Sequence, residues 1–238
     1  MKEKILYILL TILVLASCTC DLPDPSAGNG TLVLSSLTRS GTSISQIIDD
    51  DLALTILDED GKDYKSYKAG EIPTKIVLAP GTYTVQAYTE NQETWQTDNN
   101  GLGTPCYWGS TSVTIENNYI YRMQMQVPMV NYAVSLTLPE LFENLFKTYT
   151  FSLNSGGRNV NITKSQKAYF SVKDGGFSYK LEATNTDDRT SSTATISYKS
   201  VQAGKLYNMT YYYDTDANSG GLDIEITDNM ETEDVPLN

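Results

Sequence analysis

Two groups of residues in this chain have the types and spacing to bind something by direct chemistry. Asp214, Asp216 and Asn218, followed by Glu225, place side-chain oxygens at positions 1, 3, 5 and 12 of a calcium-loop pattern. Calcium takes about six to eight oxygens in tolerant geometry, so the residue types fit. Gly220 stands one residue late for that loop, and strands flank it where helices would be expected, so an acidic hairpin turn is the second reading. Trp95, Tyr107 and Trp108 lie in a long polar stretch from Glu90 to Ser110, where exposed rings would stack on sugars and bind a glycan. The opposing reading is that Cys106, Tyr107 and Trp108 begin a strand that packs inward.

Catalytic chemistry is poorly supplied. The chain has no histidine, which removes the commonest general base and every Ser-His or Cys-His arrangement. It also has no Gly-x-Ser-x-Gly elbow, no Ser-x-x-Lys pair, no glycine-rich phosphate loop and no Cys-x-x-Cys. A pair of glycosidase carboxylates is the one arrangement its acidic residues leave open. The chain therefore reads as a non-enzyme, with no cofactor expected other than the calcium just described. Its 17 basic against 29 acidic residues, a net charge of -12, offer no cationic patch for a phosphate backbone, so nucleic acid is not an expected partner.

The elements that must position these groups begin after an export signal. Lys2 and Lys4 precede an apolar stretch from Ile5 to Ala16, which is too short to span a membrane and ends in Leu15-Ala16-Ser17-Cys18. Those last four residues resemble the bacterial lipobox, which implies cleavage between Ser17 and Cys18 and a diacylglyceryl group on Cys18. Residues 1–17 are thus expected to be a signal peptide, and residues 18–30, with Pro23, Pro25, Gly28 and Gly30, a polar tether. The anchor makes the membrane a partner and points to the outer membrane, facing the cell surface, although the periplasmic face stays open. Cys106 is the one cysteine beyond the tether, so a disulfide framework is not expected.

Beyond the tether the pattern is period two. Tyr83, Val85 and Ala87 alternate with polar residues, as do Tyr119, Tyr121, Met123, Met125 and Val127, then Val134, Leu136 and Leu138, and finally Leu222, Ile224 and Ile226. Asp60-Gly61, Gly156-Gly157 and Asp174-Gly175-Gly176 supply turns between such runs. Asp49-Asp50-Asp51 and Asp58-Glu59-Asp60 read as solvated loop charges. One helix is expected near 139–146, where Pro139 precedes an apolar stripe of Leu141, Phe142, Leu145 and Phe146. Gly81 to Ala87 is similar to Phe177 to Ala183, and each is followed by a Tyr-x-Met strand, Tyr121 to Met123 and Tyr207 to Met209. The expected fold is therefore all-β, with two tandem β-sandwich domains at 31–128 and 129–238. A single larger sandwich is the alternative.

The lipobox, the strand Thr31 to Leu37, the run Pro80 to Tyr88, the strand Tyr132 to Leu136 and the acidic tail together resemble cell-surface lipoproteins of Bacteroidota, in a family of uncharacterised function. That family's organisation is similar to the fimbrillin superfamily. The resemblance implies two transthyretin-like, Greek-key domains and a structural or adhesive role in pili, at their tips or at their bases, with other such subunits or surface glycans as partners. It also implies proteolytic processing at an arginine after the first strand, and Arg39 stands there, in the polar stretch Thr38 to Ser45. Removing that strand would open a groove for a strand from another subunit. A lipid-anchored glycan-binding accessory protein of a nutrient-uptake system is the alternative function.

Overall fold

The alternating runs form strands because each presents one apolar and one polar face, a pattern only a half-buried sheet satisfies. The computed structural model describes residues 28–41, 46–213 and 222–230. In the N-terminal half these build β1 (Gly30–Arg39), β2 (Leu52–Leu57), β3 (Asp63–Tyr67), β4 (Lys75–Leu78), β5 (Gly81–Thr89), β6 (Trp108–Ile115) and β7 (Ile120–Val127). The C-terminal half holds β8 (Asn131–Thr137), a short helix α1 (Phe142–Leu145), β9 (Phe146–Ser155), β10 (Arg158–Ile162), β11 (Lys167–Ser171) and β12 (Phe177–Asn185). It continues with β13 (Thr190–Ser192), β14 (Ile196–Tyr198), β15 (Lys205–Tyr213) and β16 (Leu222–Met230).

The sheets repeat an order. In the N-terminal half, sheets β4-β1-β7 and β3-β2-β5-β6 enclose one core, which includes Leu32, Leu34, Leu54, Val85, Val113 and Met123. In the C-terminal half, sheets β11-β8-β15-β16 and β10-β9-β12-β13 enclose a second, with Tyr132, Leu136, Phe151, Phe170, Leu181 and Met209. The first strand of each half pairs antiparallel with its fourth (β1 with β4, β8 with β11) and parallel with a late strand (β1 with β7, β8 with β15). The two sequence matches fall on equivalent strands, β5 with β12 and β7 with β15. The chain is all-β, a β-sandwich fold with one short helix.

Two local features depart from simple alternation. The register of β1 on β7 shifts between Leu34 and Ser36, a bulge that adds one residue to β1. Leu32 and Leu34 point inward before it, and Leu37 and Arg39 after it. The expected helix shrinks to a single turn: Phe142 is buried, Leu141 and Leu145 are exposed, and Phe146 already begins β9. Phe146 enters the strand by pairing with Asn185 of β12, and its ring stacks on Phe142 with centroids 4.6 Å apart. The β9–β10 hairpin turns on Gly156 and Gly157, whose φ values of 58° and 81° belong to the mirror-image turn that matches strand twist.

The second core is aromatic. The Tyr132 ring lies edge-on to Tyr207 with centroids 5.8 Å apart, and its hydroxyl is 3.1 Å from Ser155 Oγ, which in turn donates to Gly176 O at 2.7 Å. Burial pushes the Tyr132 phenol up to about 12, against the Ser155 hydrogen bond, which lowers it. Burial raises Tyr211 as well. An unfolded tyrosine ionises near pH 10, so this stabilisation is fully present below about pH 10 and is lost as the pH rises toward 12. In an alkaline titration, ultraviolet tyrosinate absorbance is expected to lag until near-ultraviolet circular dichroism collapses. Smooth ionisation of every tyrosine near pH 10 with the fold intact would contradict this.

Candidate functional site

The bulge in β1 delivers Arg39 into the protein. Its side chain is only 7% exposed, although the stretch Thr38 to Ser45 is polar in composition. The strand also runs two residues beyond the expected Leu37. Arg39 Nε lies 2.7 Å from Asp49 Oδ2 and Nη2 lies 2.7 Å from Asp51 Oδ2. Its guanidinium stands 5.4 Å from the centroid of the Tyr107 ring.

Asp49 is 2% exposed, which corrects its reading as a solvated loop charge, whereas Asp51 is largely in water. The aspartate run works as a strap. Asp49 Oδ1 accepts from the Asp51 N–H at 3.1 Å, Leu37 N donates to Ile47 O at 2.7 Å, and Asp49 N donates to Leu37 O at 2.8 Å. Segment 46–51 thus runs alongside the C-terminal end of β1, bridging it in parallel at Leu37 and Ile48, and pins it through both backbone and charge. At the peptide bond that follows, Ser40 N donates to Val127 O at 2.9 Å.

The 90–110 stretch also has a different surrounding from the one expected. Tyr107 is 1% exposed and offers no face to solvent, Trp95 is partly buried against the first core, and Trp108 is exposed at the start of β6. The structure therefore does not assemble these rings into a sugar-stacking platform. The inward-packing reading holds for Cys106 and Tyr107, both buried. Burial pushes the Cys106 thiol up, with hydrogen bonds from Thr89 and Gln92 opposing.

This loop instead braces the two halves of the chain. Arg158 of β10 donates from Nη1 to Gln96 O at 2.8 Å and from Nη2 to Tyr169 O. Its Cζ stands 4.6 Å from the Phe170 ring centroid and 6.0 Å from that of Trp95. Tyr169 N donates to Leu102 O at 2.8 Å, and Asn131 joins Thr104 O (2.9 Å) to Cys106 N (3.1 Å). Gly103, at φ 82°, is required here: a Cβ would lie 3.1 Å from Trp95 O and 3.2 Å from Tyr169 Cβ.

Of the expected calcium ligands, Asp214, Asp216 and Asn218 lie outside the described residues, as do Ser17 and Cys18. Glu225 is exposed on β16, opposite Thr210 of β15. Among the described residues no three acidic or cysteine side chains are grouped to hold a metal ion. The lock between Arg39 and Asp49 was not foreseen. The only sequence signal for it was an arginine and an aspartate run at opposite ends of one short connection.

Fold and site together define an all-β sandwich protein whose first strand lies between two neighbours and is locked at its far end. The chain belongs to the family described as a domain of unknown function, DUF4493, which it matches over residues 29–238. No curated protein matches it. Among solved structures it is similar to the tip fimbrial protein Mfa3 from Porphyromonas gingivalis with C-terminal truncation, at 10% identity over 85% of this chain and 100% of that one, with a TM-score of 0.50. It is also similar to a candidate cell adhesion protein from Bacteroides eggerthii, at 10% identity over 86% and 96% of the two chains with a TM-score of 0.49. A fimbrial assembly protein from Parabacteroides distasonis gives 9% identity over 86% and 98%, with a TM-score of 0.47. At such identities the likeness is one of fold.

Proposed function

We propose that this chain is a lipid-anchored protein of the outer membrane, exposed at the cell surface, with a structural or adhesive role as a pilus or pilus-associated component on the fimbrillin plan. In this reading residues 1–17 are the signal peptide, Cys18 carries the lipid, 18–30 is the tether, and sandwich domains follow at 31–128 and 129–238. The lipobox residues support the anchor. The repeated sheet order, with a separate core in each half, supports the division.

The observation that carries the role is the position of β1. It lies between β4 and β7, and it contributes Leu32, Leu34 and Leu37, each no more than 1% exposed, to the first core. Each such leucine contributes about 1.5–3 kcal/mol by burial. A sheet that loses this strand exposes two unpaired ladders and an apolar slot, which a strand of another subunit would fill. Arg39 is the proposed processing site, and its lock makes the cut conditional: the bond to Ser40 becomes reachable only when segment 46–51 lifts.

Detergent partitioning and N-terminal sequencing of protein from intact cells test the reading. The native chain is expected in the detergent phase, beginning at lipid-modified Cys18, and a processed form is expected to begin at Ser40. Cys18→Ser is expected to move nearly all of the protein to the aqueous phase, because buried acyl methylenes contribute about 0.8 kcal/mol each. A Cys18→Ser variant that partitions like the parent would remove the anchor from the account.

A further inference from the structure

The two halves repeat one sheet order but differ in the outer face of one sheet. β5 and β12 are equivalent strands, so their outward positions correspond: Thr84 to Lys180, Gln86 to Glu182 and Tyr88 to Thr184. Across the ladder Tyr88 meets Trp108 of β6, whereas Thr184 meets Thr190 of β13. In the C-terminal half Lys180 and Glu182 form an ion pair at 2.7 Å, and neither ring position holds a ring. The N-terminal half replaces that pair with Thr84 and Gln86 and adds two aromatic side chains.

Successive strand residues point to opposite faces, so Trp108 leaves β6 on the side away from the buried Tyr107, and it is 40% exposed. Tyr88 is half-buried. Its hydroxyl stands 3.0 Å from Thr55 Oγ1, one row further along on β2, and Thr55 Oγ1 also meets Ser66 Oγ at 3.3 Å. That contact draws the ring down along the sheet toward β2. The neighbours there are small: Ala53, which pairs with Tyr88, and Thr55 both point out of the sheet, and both are buried.

The row beside the rings supplies hydrogen-bonding groups. Thr55, Gln86 and Ser110 stand side by side on β2, β5 and β6. The Gln86 amide and the Ser110 hydroxyl make no side-chain hydrogen bond to another described residue, so both a donor and an acceptor are on offer. The four strands contribute one charge to this face, Asp63 at its outer corner opposite Leu57. Lys65 turns the other way and donates to Val77 O of β4 at 2.8 Å. In a chain whose net charge is -12, a surface of rings, hydroxyls and an amide suits a neutral ligand. An anionic one would be repelled by the rest of the protein and would find no cation here.

We propose that the outer face of sheet β3-β2-β5-β6 binds a neutral, extended polysaccharide of the β-1,4-linked pyranose class. Such a chain is a ribbon whose ring faces carry C–H groups and whose edges carry hydroxyls. The C–H faces lie on Trp108 and Tyr88, and the hydroxyls meet Gln86 and Ser110. Directly opposed strand residues have Cβ atoms about 4.5–5.5 Å apart, so the two rings serve adjoining parts of one extended chain. A coiled chain reaches one ring at a time. The inference deepens the adhesive reading by naming what is gripped, and rests on that reading for its biological setting.

The test is calorimetry on the full chain in detergent micelles. Cellohexaose, xylohexaose and mannohexaose are the neutral extended probes, maltohexaose the coiled one and hexagalacturonate the acidic one. At least one of the first three is expected to bind at least tenfold more tightly than the other two, and to change less than twofold between low and high salt. Trp108→Ala is expected to lose tenfold or more, Trp108→Phe to recover most of that, and Gln86→Ala to lose several-fold. Thr190→Ala, at the equivalent C-terminal position, is expected to change nothing. Bound sugar should also shield an indole from iodide quenching in the parent and not in Trp108→Ala. Binding of none of the three extended probes, tighter binding of maltohexaose or hexagalacturonate, or parental affinity in a Trp108→Ala chain with unchanged circular dichroism would overturn the site. Cells displaying the chain, on surfaces coated with the polysaccharide whose hexamer binds, separate the two ideas. Purified protein that binds while cells fail to adhere sinks the adhesive role and leaves the site. Adherence untouched by Trp108→Ala sinks the site and leaves the role.

Discussion

Replacing Asp49 by alanine is expected to lower stability by about 3–5 kcal/mol, because it takes away the buried carboxylate that faces the Arg39 guanidinium in a site from which water is largely excluded. That is a large part of the roughly 5–15 kcal/mol that holds a domain folded. Asp51, mostly in water, is expected to compensate little. The companion experiment distinguishes a lost ion pair from lost packing. Arg39→Met combined with Asp49→Leu removes both charges and is expected to lie within about 2 kcal/mol of the parent. Denaturant unfolding measures both variants, and an Asp49→Ala loss below about 1 kcal/mol would show that the pair does not hold the strand.

The same substitution has a kinetic consequence at Arg39. Trypsin needs an extended, open segment, and the parent chain offers a buried side chain with Ser40 N tied to Val127 O. The bond between Arg39 and Ser40 is therefore expected to resist trypsin in the native parent and to be cut about 100- to 1,000-fold faster or more in Asp49→Ala, since cleavage follows the population of the opened form. Mass spectrometry of the first fragments reads this directly. If β1 is the strand exchanged between subunits, the lock sets when it can leave.

Arg158→Ala is expected to separate the two halves. The guanidinium donates to two carbonyls, one at Gln96 and one at Tyr169, and covers Phe170. Charge-assisted hydrogen bonds contribute about 1.5–3 kcal/mol each and the ring contact roughly 0.5–2 kcal/mol when desolvated, but Arg158 is only partly buried and water screens these contacts, so a total loss of about 3 kcal/mol is expected. Calorimetric unfolding should change from one transition to two, because the bridges that stay, among them Tyr169 to Leu102, Val130 to Cys106, and Asn131 to Thr104 and Cys106, are neutral bonds. Arg158→Lys is not expected to rescue it, since an ammonium cannot serve both carbonyls and lie flat on the ring. A variant with a single transition at the parent's midpoint would show that the halves are joined by apolar packing alone.

Much of the β framework was legible from residue order. Tyr83, Val85 and Ala87, or Met123 and Val127, can bury one face only in a strand, and the paired glycines at 156 and 157 dictate a tight hairpin. The match of Gly81 to Ala87 with Phe177 to Ala183 survives as equivalent strands because the same alternation meets the same sheet order in each half. The stripe at 139–146 does give the expected helix, Phe142–Leu145, shortened to one turn because Phe146 already pairs with Asn185 in the sheet.

Tertiary structure decided the rest, and the reason is distance along the chain. Whether Arg39 points in or out depends on a one-residue bulge between Leu34 and Ser36, and that bulge belongs to the register of β1 on β7, nearly ninety residues later. Asp49 looks like any loop aspartate until that register brings Arg39 to it. Trp95 and Tyr107 sit in a loop whose composition suits a binding surface, yet Arg158 and Asn131 from the other half draw the loop into a brace. Local pattern determined which residues form strands. Long-range pairing determined which charges those strands bury, and that is a property no short window of sequence contains.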